Sequence, residues 1–499
     1  MLTALLLVGV GLACRLTEAT PASWSGTPSA EAREATNRAF ESTQQAQLEK
    51  TPMIPPATSS PIPATVTPVP TVPADGPWLV FPAMTGSALL AYDVDAHSLQ
   101  TIVLPEPLYV SDLVTGRAPD GQTLIIRAGS PLNTDELALY EVDLMAGTVM
   151  KVSPLLSIAN QRKLVNEQGS RVFDTLEAVT RADSLAWSPN GRYLAFTAAL
   201  DNNSADLYVW NIEKSRVDRL NGIYSQSASP FWAPGSNWLI TQEMEMDAAS
   251  TGWRTEVVSG LHMPGYDGQN TLYLPANGSR YEVFVGWINA QTFISYSQTD
   301  EGAIMLRQVN VETLSRDVIL AESFQAVASD PGSGVLALTL DEAQAARQGL
   351  IAGIYLLKPD RGVLELQLAG IWPSLTWDRG GMFLASGQQG LYVFNAEGRG
   401  VMLPEENGGR LSPNGSWMVA WGDSEQGEPG LRLYQGLSGN NLQEITDLPV
   451  ESVLWQPDSK AFFMLAEGVL YHVAFPGLKL EPVESGFALD QTLEMIWME

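Results

Sequence analysis

Few residues in this chain combine the types and spacing that chemistry needs. The densest set of oxygen donors is Asp201–Asp206, DNNSAD, where Asp201, Asn203 and Asp206 offer carboxylate and amide oxygens to a hard cation such as Ca²⁺. The stretch lacks the spaced carboxylates, the Gly and the terminal Glu of an EF-hand loop. His97, His262 and His472 are far apart in sequence and read as surface or strand residues, not as ligands or bases. Cys14 is the single cysteine, which excludes an intrachain disulfide and a Cys metal cluster. No G-x-S-x-G or H-E-x-x-H motif occurs, so a serine hydrolase elbow and a zincin helix are not expected. The turn Met145–Thr148 carries no cofactor signature. Acidic side chains are plentiful, so paired carboxylates for glycoside cleavage stay open, because that chemistry depends on a separation that sequence does not give. No catalytic residue and no cofactor is assigned, Ca²⁺ aside.

Charge narrows the partners. The chain has 499 residues and a net charge of -28, with only 28 Lys and Arg. Nucleic acid and anionic lipid headgroups both need a basic surface, so neither is an expected partner. Residues 1–13, MLTALLLVGVGLA, are too short an apolar run to span a bilayer but suit the core of a signal peptide. Gly11-Leu12-Ala13-Cys14 resembles the lipobox of bacterial lipoproteins. The resemblance implies that Cys14 is lipidated and begins the mature chain. It departs from that pattern at Gly11, where Leu is usual, and in having no Lys or Arg before the apolar core. Ala30–Lys50 is rich in helix formers with a thin apolar stripe. Thr51–Pro77 is rich in Pro, Thr, Ser and Val, cannot build a core, and favours extended polyproline II. At about 3.1 Å per residue it would reach up to ~80 Å. The expected plan is a lipoprotein-type signal at 1–13, a disordered stalk at 14–76 and a folded domain at 77–499. The expected address is the outer side of the cytoplasmic membrane or the cell envelope, held by Cys14 alone.

The folded part is organised around Asp183–Leu220. Four short apolar runs, ending at Trp187 and then covering Tyr193–Thr197, Leu207–Asn211 and Val217–Leu220, read as antiparallel strands a, b, c and d. Ser188-Pro189-Asn190-Gly191 joins the first two, with Pro pre-setting φ, Asn suiting the third position and Gly closing the turn. Further units begin at Ala118-Pro119-Asp120-Gly121, Phe231–Gly235, Gly286-Trp287, Ser329–Gly332, Thr376–Asp378, Leu411–Gly415 and Leu454–Asp458. Aligned on the turn, Trp187, Trp232, Trp287, Trp377 and Trp455 share one position at the end of strand a. Repeated register assigns them to blade-to-blade core and not to a cofactor box. The first unit, Trp78–Leu104, has no strand a. Leu493–Trp497 is left over at the other end, with Trp497 in the strand-a register. The C-terminal strand is therefore expected to complete the N-terminal blade and remove open sheet edges.

This repeat resembles the TolB-like, WD-type β-propeller repeats of bacterial secreted proteins, whose units carry a similar W-S-P-D-G-x-x-L-A-F stretch. The resemblance covers roughly residues 77–499 and implies an all-β fold, one propeller of about eight or nine four-stranded blades. In such a blade the a–b and c–d turns lie on one face, and the b–c and d–a connections on the other. The b–c loops here are long and often acidic: Ser130–Glu136, Ala198–Asp206, Glu243–Arg254, Asp341–Gly349 and Gly422–Gly430. The d–a connection Ser153–Asp183 shares their face and is expected to form a helical cap with Arg162 and Lys163. Variable loops on a rigid scaffold are where binding concentrates. The expected function is a non-enzymatic scaffold that binds a protein, peptide or glycan, with a basic partner suiting the acidic loops. Two other classes stay open at this level. One is a propeller hydrolase or lyase acting on an extracellular polymer. The other is a small-ligand or Ca²⁺ sensor using the central channel.

Overall fold

A computed structural model describes residues 76–499, apart from 84–86, 132–136, 167–169, 201–203, 221–225, 247–252, 263–270, 276–278, 300–303, 321–322, 359–362, 379–380, 405, 423–428 and 488–493. The signal and stalk readings, with Cys14, lie outside the described residues, as do Asp201 and Asn203. The folded unit is Asp75–Met246 with Trp253–Glu499.

Among the described residues the strands form eight four-stranded sheets and one three-stranded sheet. They are the blades of an all-β propeller. Blade 3 is Leu185–Trp187, Tyr193–Ala198, Asp206–Asn211 and Arg216–Arg219, each strand antiparallel to the next. Strands b and c are sandwiched between neighbouring blades, so most of their described side chains are apolar on both faces. Ala461–Ala466 of blade 9, AFFMLA, is buried throughout. Outer strands meet solvent, as Thr148–Pro154 does.

Blade 1 is made from both ends of the chain. Trp78–Pro82, Ala88–Asp93 and Ser98–Val103 supply three strands, and Ile496–Met498 supplies the innermost one. The register Trp78↔Met498, Leu79↔Trp497 and Val80↔Ile496 closes the ring as the unmatched end strands predict. Glu499 N–H then donates to Gly121 O at 2.8 Å, tying the terminus to blade 2.

The tryptophans link successive blades. Each of several indole N–H groups at the end of strand a donates to a main-chain carbonyl of the preceding blade: Trp187 to Gly116 at 2.8 Å, Trp232 to Ala186 at 3.0 Å, Trp287 to Phe231 at 3.3 Å and Trp455 to Arg410 at 3.0 Å. Trp497 donates to Trp455 O at 2.7 Å, so the same link crosses the closure. In blade 6 the position is taken by Ser329, whose hydroxyl reaches Val285 O at 3.4 Å. Trp377 lies in strand a of blade 7 (Ser374–Asp378) and packs edge-on against Phe383 at 4.5 Å.

Blade 2 departs from the repeat. Its three strands are Leu124–Ala128, Ala138–Asp143 and Thr148–Pro154, and its strand a is reduced to the bridge Arg117↔Leu124. A short helix, α1 (Asp112–Thr115), sits just before that bridge. Gly116 follows, so close to the next strand that a Cβ there would fall 1.7 Å from Ile125 O. Only glycine fits, and Ile125 N–H donates to Gly116 O at 2.9 Å.

Candidate binding face

The two faces are built by different chemistry. On the face of the a–b and c–d turns, short polar side chains fold the chain onto itself. Asp93 accepts from Ala96 N–H at 2.7 Å, Asp143 from Ala146 N–H at 2.8 Å, Asn190 from Arg192 N–H at 3.1 Å, Asn211 from Lys214 N–H at 3.0 Å and Asp458 from Lys460 N–H at 2.9 Å. These are Asx turns, in which the side-chain oxygen stands in for a backbone carbonyl.

The other face carries the b–c loops and d–a connections. Ser153–Asp183 contains two helices, α2 (Ile158–Asn166) and α3 (Ser170–Thr180), as its composition predicts. The insert is pinned at its start. Ala199 N–H donates to Leu155 O at 2.8 Å, and Ala199 O accepts from Ser157 N–H and the Asn160 side chain, both at 2.8 Å. Arg162 is exposed on this cap.

A buried arginine holds the insert at its end. Arg127 lies in strand b of blade 2, in the sequence LIIRA, and is 1% exposed. Its guanidinium forks onto Asp112, with Nε to Oδ2 at 2.7 Å and Nη2 to Oδ1. Nη1 donates to Val179 O at 2.7 Å and to the Ser184 hydroxyl. The Tyr109 ring lies 5.2 Å from the guanidinium carbon. One cation thus joins α1, α3 and the entry to blade 3. Sequence reasoning passed over Arg127 because it reads strands by their apolar residues. The available signal was a lone charge inside an otherwise apolar b strand.

Nearby, Arg181 and Asp183 pair at 3.0 Å, and the Ser229 hydroxyl of blade 4 donates to Asp183 at 2.7 Å. Burial pushes the Asp183 carboxyl up. The hydrogen bonds from Arg181 and Ser229, with the Arg181 charge, outweigh it and hold the group below the usual carboxylate range. Across the face, Glu406 in the connection between blades 7 and 8 is 2% exposed. Its Oε1 accepts from Arg432 at 3.0 Å and from the Tyr434 hydroxyl at 2.8 Å.

Two of the expected loops are more regular than composition suggests. Within Asp341–Gly349 runs a helix, α4 (Glu342–Gln348). Asp341 accepts from Gln344 N–H at 2.7 Å while the Gln344 side chain accepts from Asp341 N–H at 3.1 Å, a capping box, and Gly349 closes the helix at φ 67°. The described ends of Glu243–Arg254 belong to two long strands of blade 4, Trp238–Met246 and Trp253–His262, because the pairing of strands b and c runs out to Met246↔Trp253.

Asp206 opens strand c of blade 3, is fully buried, and pairs with Arg219 at 2.9 Å. That pairing satisfies its charge within the blade. Among the described residues no three His, Cys, Asp or Glu side chains gather as a metal-holding group. His262 closes strand c of blade 4. The fold brings the two other histidines to the seam of blades 9 and 1. His472 stacks on Phe463 at 4.8 Å, Phe463 meets Tyr92 edge-on at 5.9 Å, and the Tyr92 hydroxyl bonds His97 at 2.9 Å. Burial lowers the His472 imidazole below its ordinary range, opposed by Glu481 and reinforced by His97.

With this geometry in place, comparison with known proteins defines a fold. No family model matches the chain, and no curated protein sequence matches it. Solved structures do. A eukaryotic initiation factor aligns with a TM-score of 0.51 at 13% identity, over 84% of this chain and 98% of its own. Dipeptidyl peptidase 4 of Porphyromonas gingivalis aligns at 0.45 and 13% identity, over 79% of this chain and 65% of its own. TolB from Acinetobacter baumannii aligns at 0.29 and 13% identity, over 57% and 62%. At such identities the likeness is one of fold, the β-propeller, and carries no activity with it.

Proposed function

We propose that the chain is a non-enzymatic, extracytoplasmic binding scaffold. In this reading it is tethered through lipidated Cys14 and engages a basic protein or peptide through the face of the b–c loops and the helical insert. One observation carries the reading: both helical insertions, α2 with α3 and α4, lie in b–c or d–a connections, on the same face as the connections locked by Arg127–Asp112 and Glu406–Arg432. A rigid base under variable loops is the usual construction of a recognition surface. The net charge of -28 favours a cationic partner.

The test is crosslinking and capture from solubilised envelopes. Wild type is compared with a form in which Asp135, Glu136, Asp423, Glu425 and Glu428 become Asn or Gln. A stoichiometric partner recovered with wild type and lost with the neutralised form supports the proposal. Equal recovery by both forms overturns the assignment of the face. Palmitate labelling that survives Cys14→Ala would refute the anchor.

A further inference from the structure

The outer edge of blade 1 differs from most of the other outer edges. Its last strand, Ser98–Val103, is SLQTIV and is bonded on one side only, to Ala88–Asp93. It contains no charged residue. Several other outer strands are guarded by charge: Arg216–Arg219 is RVDR, Arg316–Leu320 is RDVIL, Lys479–Ser485 is KLEPVES. Such charges are how sheet edges commonly avoid pairing with other chains. Thr271–Pro275 (TLYLP) and Gly400–Leu403 (GVML) are uncharged too, and Gly400–Leu403 offers no exposed large apolar side chain. On the blade 1 edge, Leu99 is 38% and Val103 70% exposed, and in blade 2 beside it Met145 is 69% and Met150 60% exposed. The two blades are continuous here, since a Cβ on Gly147 would fall 1.8 Å from the Gln100 amide nitrogen.

We infer that this edge pairs with the same edge of a second copy, strand to strand and antiparallel about a two-fold axis at Thr101. The register follows from the residues. With Thr101 opposite itself, Leu99 stands opposite Val103 of the second copy, and the pair recurs on the other side of the axis. Both fall on the exposed side of the strand, so the pairing buries apolar side chains against each other while the open N–H and C=O groups find partners. Two-fold pairing is self-complementary and needs one surface only. It also brings together a strip without charge, which two molecules each carrying -28 require at their contact. A lipid surface fits less well, because hydrocarbon leaves the edge hydrogen-bonding groups unsatisfied and anionic headgroups repel an acidic chain.

The test uses the full chain carrying Cys14→Ala, which then has no cysteine. Sedimentation velocity across concentration should show a monomer–dimer equilibrium, and Val103→Lys should weaken it by about tenfold or more. Adding Thr101→Cys should give a disulfide-linked dimer under mild oxidation, since residues directly opposite in an antiparallel pair lie roughly 4.5–5.5 Å apart. Gln443→Cys, on the outer strand of blade 8, should stay uncrosslinked. A monomer at every concentration overturns the inference. So does a dimer indifferent to Val103→Lys, a Thr101→Cys form that crosslinks no better than Gln443→Cys, or a monomer that floats with phosphatidylglycerol vesicles through this edge.

Discussion

The turn Ser188–Gly191 and the connection Ser153–Asp183 both join strands of this propeller, and they are held by opposite means. The turn is closed chiefly by its own residues, with one bond to the next blade, from Asn190 N–H to the Ser236 hydroxyl at 3.0 Å. Gly191 N–H reaches Ser188 O at 2.9 Å, and the Asn190 side chain accepts from Ser188 and Arg192, two residues away on either side. The connection is held by Arg127, whose partners Asp112, Val179 and Ser184 are 15, 52 and 57 residues distant. Local closure can be copied from blade to blade, so one face is uniform. Closure through a distant buried charge is specific to its place, so the other face can differ from blade to blade and still be rigid.

Four experiments would break or sharpen that contrast. The largest effect is expected at the buried ion pair. Arg127→Met alone strands the Asp112 carboxylate and should cost about 3–5 kcal/mol in urea unfolding, while Arg127→Met with Asp112→Leu should recover much of it. A single-variant cost below about 1 kcal/mol would mean that the connection is held by something else. At the closing strand, Trp497→Ala should also cost about 3–5 kcal/mol through the lost ring. Trp497→Phe, which removes chiefly the N–H bond to Trp455 O, should cost only about 0.5–1.5 kcal/mol. Equal losses in the two variants would give the hydrogen bond, not packing, the main role.

On the uniform face, Asn414→Ala removes the acceptor for Ser416 N–H at 2.9 Å and should cost about 0.5–1.5 kcal/mol. A similar effect is expected at Asp120, which accepts from Gln122 N–H at 2.9 Å, because in both turns the lost side-chain acceptor serves a residue two positions on. A larger loss at Asn414 would show that its N–H bond to the Ser459 hydroxyl, 3.1 Å, depends on the side chain holding the turn.

The smallest effects are set by pH. Burial holds the His472 imidazole low in the folded state, so the unfolded chain takes up the proton first. Stability is then complete above about pH 6.5 and declines as pH falls toward the folded value. His472→Gln should flatten that slope in urea midpoints measured against pH. Asp183, held low by Arg181 and Ser229, contributes in a more acidic window. Its stabilisation is present above the ordinary carboxylate range, near pH 4, and is lost as pH falls through the folded value. The pair is partly exposed, at 34% and 42%, so its contribution should stay within about 0.2–1 kcal/mol. A single slope abolished by His472→Gln would leave Asp183 no measurable part.

Much of the architecture is legible in the chain. Turn residues and apolar runs act over four to six positions, and those positions are adjacent in sequence. That is why Trp187, Trp232 and Trp455 can be aligned without coordinates, and why a chain that starts without strand a and ends on Leu493–Trp497 implies a closed ring. Even the helix at Glu342–Gln348 was written locally, in Asp341, Gln344 and Gly349. In blade 2 the turn Ala118–Gly121 and three strands are readable, but not the reduction of the inner strand to one bridge after α1. What only the tertiary structure decided is which polar groups meet. Arg127 looks like a misplaced charge in an apolar strand until folding sets Asp112 and Ser184 around it. Asp206 reads in the chain as an oxygen donor, and folding sets Arg219 2.9 Å from it. Backbone periodicity is a property of neighbours along the chain, whereas a buried charge is tolerated only where distant segments converge to satisfy it.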